Sequence, residues 1–188
     1  MLLSEMPTYL TDQLGMSIAD AGVFCIVPFV MLFVCTVSFG RVFDYCQRER
    51  GWSVRDVRQI AQYIAFGGPS MFLLICGYSD SIAVGSVCLI FAQGLLGASQ
   101  SGLGCAFLDI SPYYSARYNT VGNMVSAVGG IVSPIIVSTF LDAYPGSKGW
   151  NGVFILTALM ALVTTVLWKI FQTSSIVVAL NTPGEIVK

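Results

Sequence analysis

Histidine is missing from the 188 residues. That removes Ser-His-Asp triads, zinc sites with histidine ligands and the usual proton switch near neutral pH. Charge is scarce as well: 10% of the residues are Asp, Glu, Lys or Arg, against about a quarter in an average soluble chain. The formal net charge is −1, so no basic field points to nucleic acid as a partner. The six cysteines (Cys25, Cys35, Cys46, Cys76, Cys88, Cys105) form no C-x-x-C and match neither disulfide nor zinc spacings. All but Cys46 sit in apolar runs, where a free thiol behaves as a small hydrophobe. No internal repeat and no low-complexity segment is visible. With no histidine and no paired buried carboxylates, no nucleophile and base can be assembled, so no catalytic residue, metal or cofactor is expected.

What the chain has instead is apolar length. It is 55% hydrophobic with a mean hydropathy of +0.77, which places it among membrane proteins. Ser81–Leu108 carries no Lys, Arg, Asp or Glu, and neither does Tyr118–Leu141. Either run is long enough to cross a hydrocarbon core of ~30 Å as a helix, which takes about 20 apolar residues. The link between them, Asp109-Ile110-Ser111-Pro112, makes the pair a membrane hairpin. Three more spans are predicted at Ala21–Gly40 (with Pro28 inside), Gln59–Ser79 (broken by Gly67-Gly68-Pro69) and Gly149–Trp168. Met1–Leu14 lacks the basic start and long apolar core of a signal peptide, and Glu5 interrupts it. It reads as an interfacial helix or the last turns of a further span.

The loops supply an orientation. Five of the nine basic residues (Arg41, Arg48, Arg50, Arg55, Arg58) lie in 41–58, which the positive-inside rule makes cytoplasmic. Ser53-x-x-Asp56 is a weak capping box, so a helix is predicted to begin near Val54. Asp80 then falls outside, Arg117 inside and the tail after Thr173 inside, all on one topology. The third run contains Gln93, Gly94, Gly97, Ser99, Gln100, Ser101, Gly102 and Gly104. Small residues at such spacing let helix backbones approach closely, and the glutamines require partners or water. The fourth contains Asn119, Asn123, Ser126, Gly129-Gly130, Ser133 and Pro134. Gly40-Arg41-x-x-Asp44, followed by Arg48 and Arg50, has the form of a packing glycine with a carboxylate set among basic residues at a turn.

These pieces resemble the second half of a major facilitator transporter. More narrowly, they resemble the solute carrier family that includes sialin, the vesicular glutamate transporters and the sodium-phosphate cotransporters (solute carrier family 17). Met6-Pro7-Thr8-Tyr9-Leu10 is similar to that family's Leu-Pro-Thr-Tyr-Met, and Val57-Arg58-Gln59 to its Val-Arg-Lys. Ser101-Gly102 and Leu108-Asp109-Ile110-Ser111-Pro112-x-Tyr114 resemble its Ser-Gly and Leu-Asp-Ile-Ala-Pro-x-Tyr. Asn123, Pro134 and Trp150 with Val153-Phe154 match further positions. The chain departs at Leu103-Gly104-Cys105-Ala106-Phe107, where the family typically has Phe-Asn-Val-Asn-His, and at Tyr113, where it has arginine.

The resemblance implies an all-α polytopic membrane bundle, the C-terminal six-helix half of a major facilitator fold. Residues 1–14 would end a truncated helix, 15–172 would hold five spans, and 173–188 would form a cytoplasmic tail. It implies secondary active transport of an organic or inorganic anion by alternating access. The partners implied are the lipid bilayer, the small anionic solute, a coupling cation, and the missing N-terminal half or a related chain. The membrane would be the plasma membrane or a vesicular or lysosomal one. Candidates for the solute pathway are Glu5, Gln93, Gln100, Ser101 and Asn123. Candidates for a cytoplasmic gate or helix-packing motif are Gly40, Arg41, Asp44, Arg58 and Asp109. A competing expectation is a non-transporting truncated membrane protein that associates with, or regulates, a full-length transporter.

Overall fold

With hardly a charge to solvate, the long apolar runs must satisfy their backbone groups internally, and in a membrane the helix does this within one segment. The computed structural model describes residues 2–79 and 82–172. Among these there are helices and no strand. A short helix, Leu2–Leu14, precedes five spans: Ile18–Arg48, Val54–Tyr78, Ala83–Ile110, Ser115–Ala143 and Ser147–Phe171. Each has 25 to 31 residues, or about 37–46 Å of helix at 1.5 Å per residue, more than a hydrocarbon core requires. The chain is a multi-pass helical membrane bundle. The expected outer turn at Asp80-Ser81, the tail 173–188 and the side chain of Glu5 lie outside the described residues.

The five spans coincide with the five expected; the first, fourth and fifth overrun them at both ends, the second at its start and the third at its finish. The first continues as helix to Arg48, so the basic segment 41–58 is a loop only at 49–53. Its helix ends where Gly51 takes a φ of +65°, a conformation that costs glycine little, and Trp52 N–H returns to the Cys46 carbonyl at 3.2 Å. Ser53 then caps the second span, its hydroxyl oxygen accepting from Asp56 N–H at 3.1 Å and donating to the Asp56 carboxylate at 2.7 Å. Residues 15–20 repeat the device: Gly15 at φ +59°, Met16 N–H to the Leu10 carbonyl, and Ser17 capping onto Asp20. The shared pattern Gly-x-Ser-x-x-Asp is a loop-level repeat that a search for fold-sized periods passes over. Each copy ends one helix and starts the next within a few residues.

Proline disturbs the spans as its chemistry requires. Pro28 has no N–H for the carbonyl of Phe24, and the first span is interrupted at Cys25 between Ile18–Phe24 and Ile26–Arg48. Pro69 cannot serve Ala65, and the turn before it, Tyr63–Gly67, widens into a π-helix. The third span is the most irregular. It passes from α-helix (Ile82–Leu95) through a 3₁₀ turn (Leu96–Ala98) and a π turn (Gln100–Gly104) to a final α-helix (Cys105–Ile110).

That irregular span sits in the centre. Half of its most apolar window is buried, as is 44% of the second span's, while the first and fourth bury 6% and 11% and so flank the bundle. Contact with the first span is close at Gly97, where an added Cβ would lie 2.8 Å from the Thr36 nitrogen and 2.9 Å from the Leu32 carbonyl. Contact with the second is close at Gly102, where a Cβ would lie 2.5 Å from the Gln62 amide oxygen. The short first helix docks through Tyr9, whose ring meets Trp150 and Phe154 edge-on at 5.1 Å each. A second apolar cluster of Phe43, Val57, Ala61, Ala65 and Ala98 packs beneath the charged loop.

Candidate functional site

Two constellations stand out, one ionic and one neutral. The ionic one begins with the Ser53 cap, which places Val57, Arg58, Ala61 and Gln62 on the buried face of the second span. Across from it, the third span stops because Pro112 disfavours helical geometry at Ser111, which is extended at φ −150° and ψ 90°. Asp109 therefore lies in the last turn. Arg58 Nε donates to Asp109 Oδ2 at 2.7 Å, Nη2 to Oδ1 at 3.3 Å, and Nη1 to the Ser101 carbonyl at 2.8 Å. The side chains keep only 11% and 18% of their exposure. A two-pronged, charge-assisted contact of this kind fixes orientation as well as distance.

Arg58 and Asp109, 51 residues apart, are thus brought together, and Ser101 joins them through its backbone. The other expected members of the motif stay apart. Arg41 is exposed, and Gly40 has nothing within 4 Å of where a Cβ would sit. Asp44 is exposed and adds its negative charge to the field around Arg58. The pair joins the second span to the third, two members of the same bundle.

The neutral constellation is a groove of about 320 Å³ between the third and fourth spans. From the third come Ser99, Gln100, Leu103, Gly104 and Phe107; from the fourth come Asn119, Gly122, Asn123 and Ser126. The first set straddles the π turn. The second follows i, i+3, i+4, i+7, one face of a helix. Gly104 leaves room for Gln100, whose amide oxygen lies 3.0 Å from the position a Cβ would take, and Gly122 receives the edge of Phe107 at 3.4 Å. The Ser126 hydroxyl donates to the Gly122 carbonyl at 2.9 Å. Three carboxamides and two hydroxyls line the groove, and no charged residue does.

Of the pathway candidates, Gln100 and Asn123 meet in this groove. Gln93 is buried elsewhere at 1% exposure, and its amide oxygen has no partner among the described residues. The structure adds Ser99, Asn119 and Ser126. A signal for the last two was present: Asn119-x-x-x-Asn123-x-x-Ser126 is a polar stripe opposite the exposed valines Val121, Val125 and Val128.

No family profile matches the chain. It is homologous over most of its length to curated anion carriers. It is 32% identical over 172 residues to a probable anion transporter 1, chloroplastic, of Oryza sativa subsp. japonica, covering 92% of this chain and 32% of the relative. It is 28% identical to the probable vesicular glutamate transporter eat-4 of Caenorhabditis elegans, covering 94% of this chain and 30% of the relative. The sodium-dependent phosphate transport protein 1, chloroplastic, of Arabidopsis thaliana is 31% identical, with 92% and 33% covered. All are transporters rather than enzymes. The chain spans about a third of the length of these curated relatives.

Proposed function

We propose, on the premise of this homology to the major facilitator anion transporters, that the chain is part of a secondary transporter moving organic or inorganic anions by alternating access. In this reading residues 15–172 are five spans of the C-terminal half, and residues 1–14 are the end of a sixth helix. The charged segment 41–58 and the tail face the cytoplasm, as the positive-inside rule directs. The observation that carries the reading is the neutral polar groove. Gln100, Asn119, Asn123 and Ser126 are exposed on a bundle whose other exposed residues are mostly apolar. Amides facing hydrocarbon are unfavourable, so this face calls for water, solute or protein opposite it. In major facilitator folds the solute site lies at such a face, between two halves that rock against each other.

Within that scheme the Arg58–Asp109 contact keeps the second and third spans moving as one body. Arg58→Ala or Asp44→Asn is expected to change transport turnover more than substrate affinity; a pure affinity change with unchanged turnover refutes this. Gln100→Ala and Asn123→Ala are expected to weaken solute affinity. The first experiment is the size of the native polypeptide, blotted with an antibody against the segment after Thr173. A band much longer than this chain leads to uptake assays with labelled phosphate, glutamate, urate and sialic acid. A band at the length of this chain favours the second reading, a non-transporting membrane protein that pairs with a full-length carrier. The exposed amide face supports that reading equally, since it requires a partner chain, which concentration-dependent crosslinking would detect.

A further inference from the structure

A second groove, also about 320 Å³, lies between the ends of the third and fifth spans, at the same end of the bundle as the Arg58–Asp109 pair. Its walls are Ala106 and Ile110 on one side and Thr164, Leu167, Trp168 and Phe171 on the other, with Gln172 at one end. The walls are apolar, and the Thr164 hydroxyl is already committed to the Met160 carbonyl at 2.8 Å. At the Gln172 end the case differs. The Trp168 indole Nε1 and both amide atoms of Gln172 are buried with no hydrogen-bond partner among the described residues, and Gln172 as a whole is 8% exposed. A buried indole N–H normally finds a partner, and an unpaired buried polar atom costs about 1–3 kcal/mol. Three in one place make a built polar end.

We propose that this groove holds a sterol, its single hydroxyl bound by Trp168 and Gln172. The unmet groups are the indole N–H, the amide NH₂, which carries two N–H donors, and the amide oxygen, an acceptor. A hydroxyl offers one donor and two acceptor lone pairs, so it can accept from the indole N–H and bond one end of the amide, donating to its oxygen or accepting from its nitrogen. No charged residue lines the groove, so an anionic or zwitterionic headgroup has no counter-charge there. A diglyceride is disfavoured because its ester carbonyls would lie against apolar walls. Depth agrees as well. Ile110 and Phe171 are the last residues of their spans, so the polar end stands at the membrane boundary, where a sterol hydroxyl belongs. From Thr164 to Gln172 the groove follows the fifth span for about 12 Å toward the hydrocarbon. Its mouth is flanked by Leu167 and Phe171, 48% and 77% exposed.

The test is saturation binding of tritiated cholesterol to the purified 188-residue chain in detergent, by scintillation proximity. Saturable binding is expected, displaced by unlabelled cholesterol and about tenfold less well by cholesterol methyl ether, which has lost the hydroxyl donor. Gln172→Leu, similar in volume, is expected to weaken binding about tenfold, and Thr164→Phe, which fills the groove, to abolish it. Absence of saturable binding overturns the proposal, as does equal displacement by the methyl ether or full binding by Thr164→Phe. The methyl ether comparison uses the unaltered chain, so it decides the matter even if a variant fails to fold. None of these outcomes depends on transport.

Discussion

Asp109→Leu leaves the Arg58 guanidinium buried between two spans with only the Ser101 carbonyl to receive it. Removing one partner of a buried ion pair costs ~3–5 kcal/mol, whereas replacing both by apolar residues is often neutral. The side chains here retain 11% and 18% exposure, which places the single substitution near the lower end, at about 3 kcal/mol. For a chain of this size 1 kcal/mol moves Tm by about 2–4 °C, so a drop of roughly 6–12 °C is expected. Arg58→Met should cost less than Asp109→Leu, because the carboxylate it strands lies nearer the span's end. The double variant Arg58→Met/Asp109→Leu should regain most of the loss. It falls short by about 1 kcal/mol, because the Ser101 carbonyl has lost its donor. Thermal unfolding of the four proteins in nanodiscs, followed by tryptophan fluorescence, measures the cycle. Single variants within about 2 °C of the parent, or a double variant as unstable as the two losses added, would show that the pair does not hold the spans together.

Two further outcomes follow from packing and exposure. Gly97→Ala places a methyl group 2.8–2.9 Å from backbone atoms of the first span and should cost about 1–3 kcal/mol in the same unfolding assay. Gly129→Ala, with nothing within 4 Å of its Cβ position, should be neutral or slightly stabilising; equal losses at the two sites would contradict the assigned helix contact. In membranes, a cysteine introduced at Asn123 should react with a water-soluble maleimide, and one at Val128, on the opposite face of the fourth span, should not. Equal reactivity would mean that the polar face is not hydrated.

The amino-acid sequence by itself determined the number of spans, their approximate places and the capped start at Val54. Each of these follows from local chemistry: twenty or so residues without charge have one stable conformation in hydrocarbon, and Ser53 with Asp56 satisfies the first free N–H groups of a helix. It also marked Arg58, Asp109, Gln100 and Asn123 as worth attention, since polar groups in such a setting need partners. Which partners they found was decided only by the tertiary structure. Arg58 and Asp109 lie on two different spans, and their meeting depends on Gly102 letting those spans close up and on Pro112 ending one of them at Asp109. The assembly of Gln100 with Asn123 depends on the π turn at 100–104, whose register no single-helix periodicity reveals. Gln93, alike in residue type and on the same span, is instead buried, at 1% exposure. Composition sets what a residue requires, and packing between distant segments sets whether and where the requirement is met.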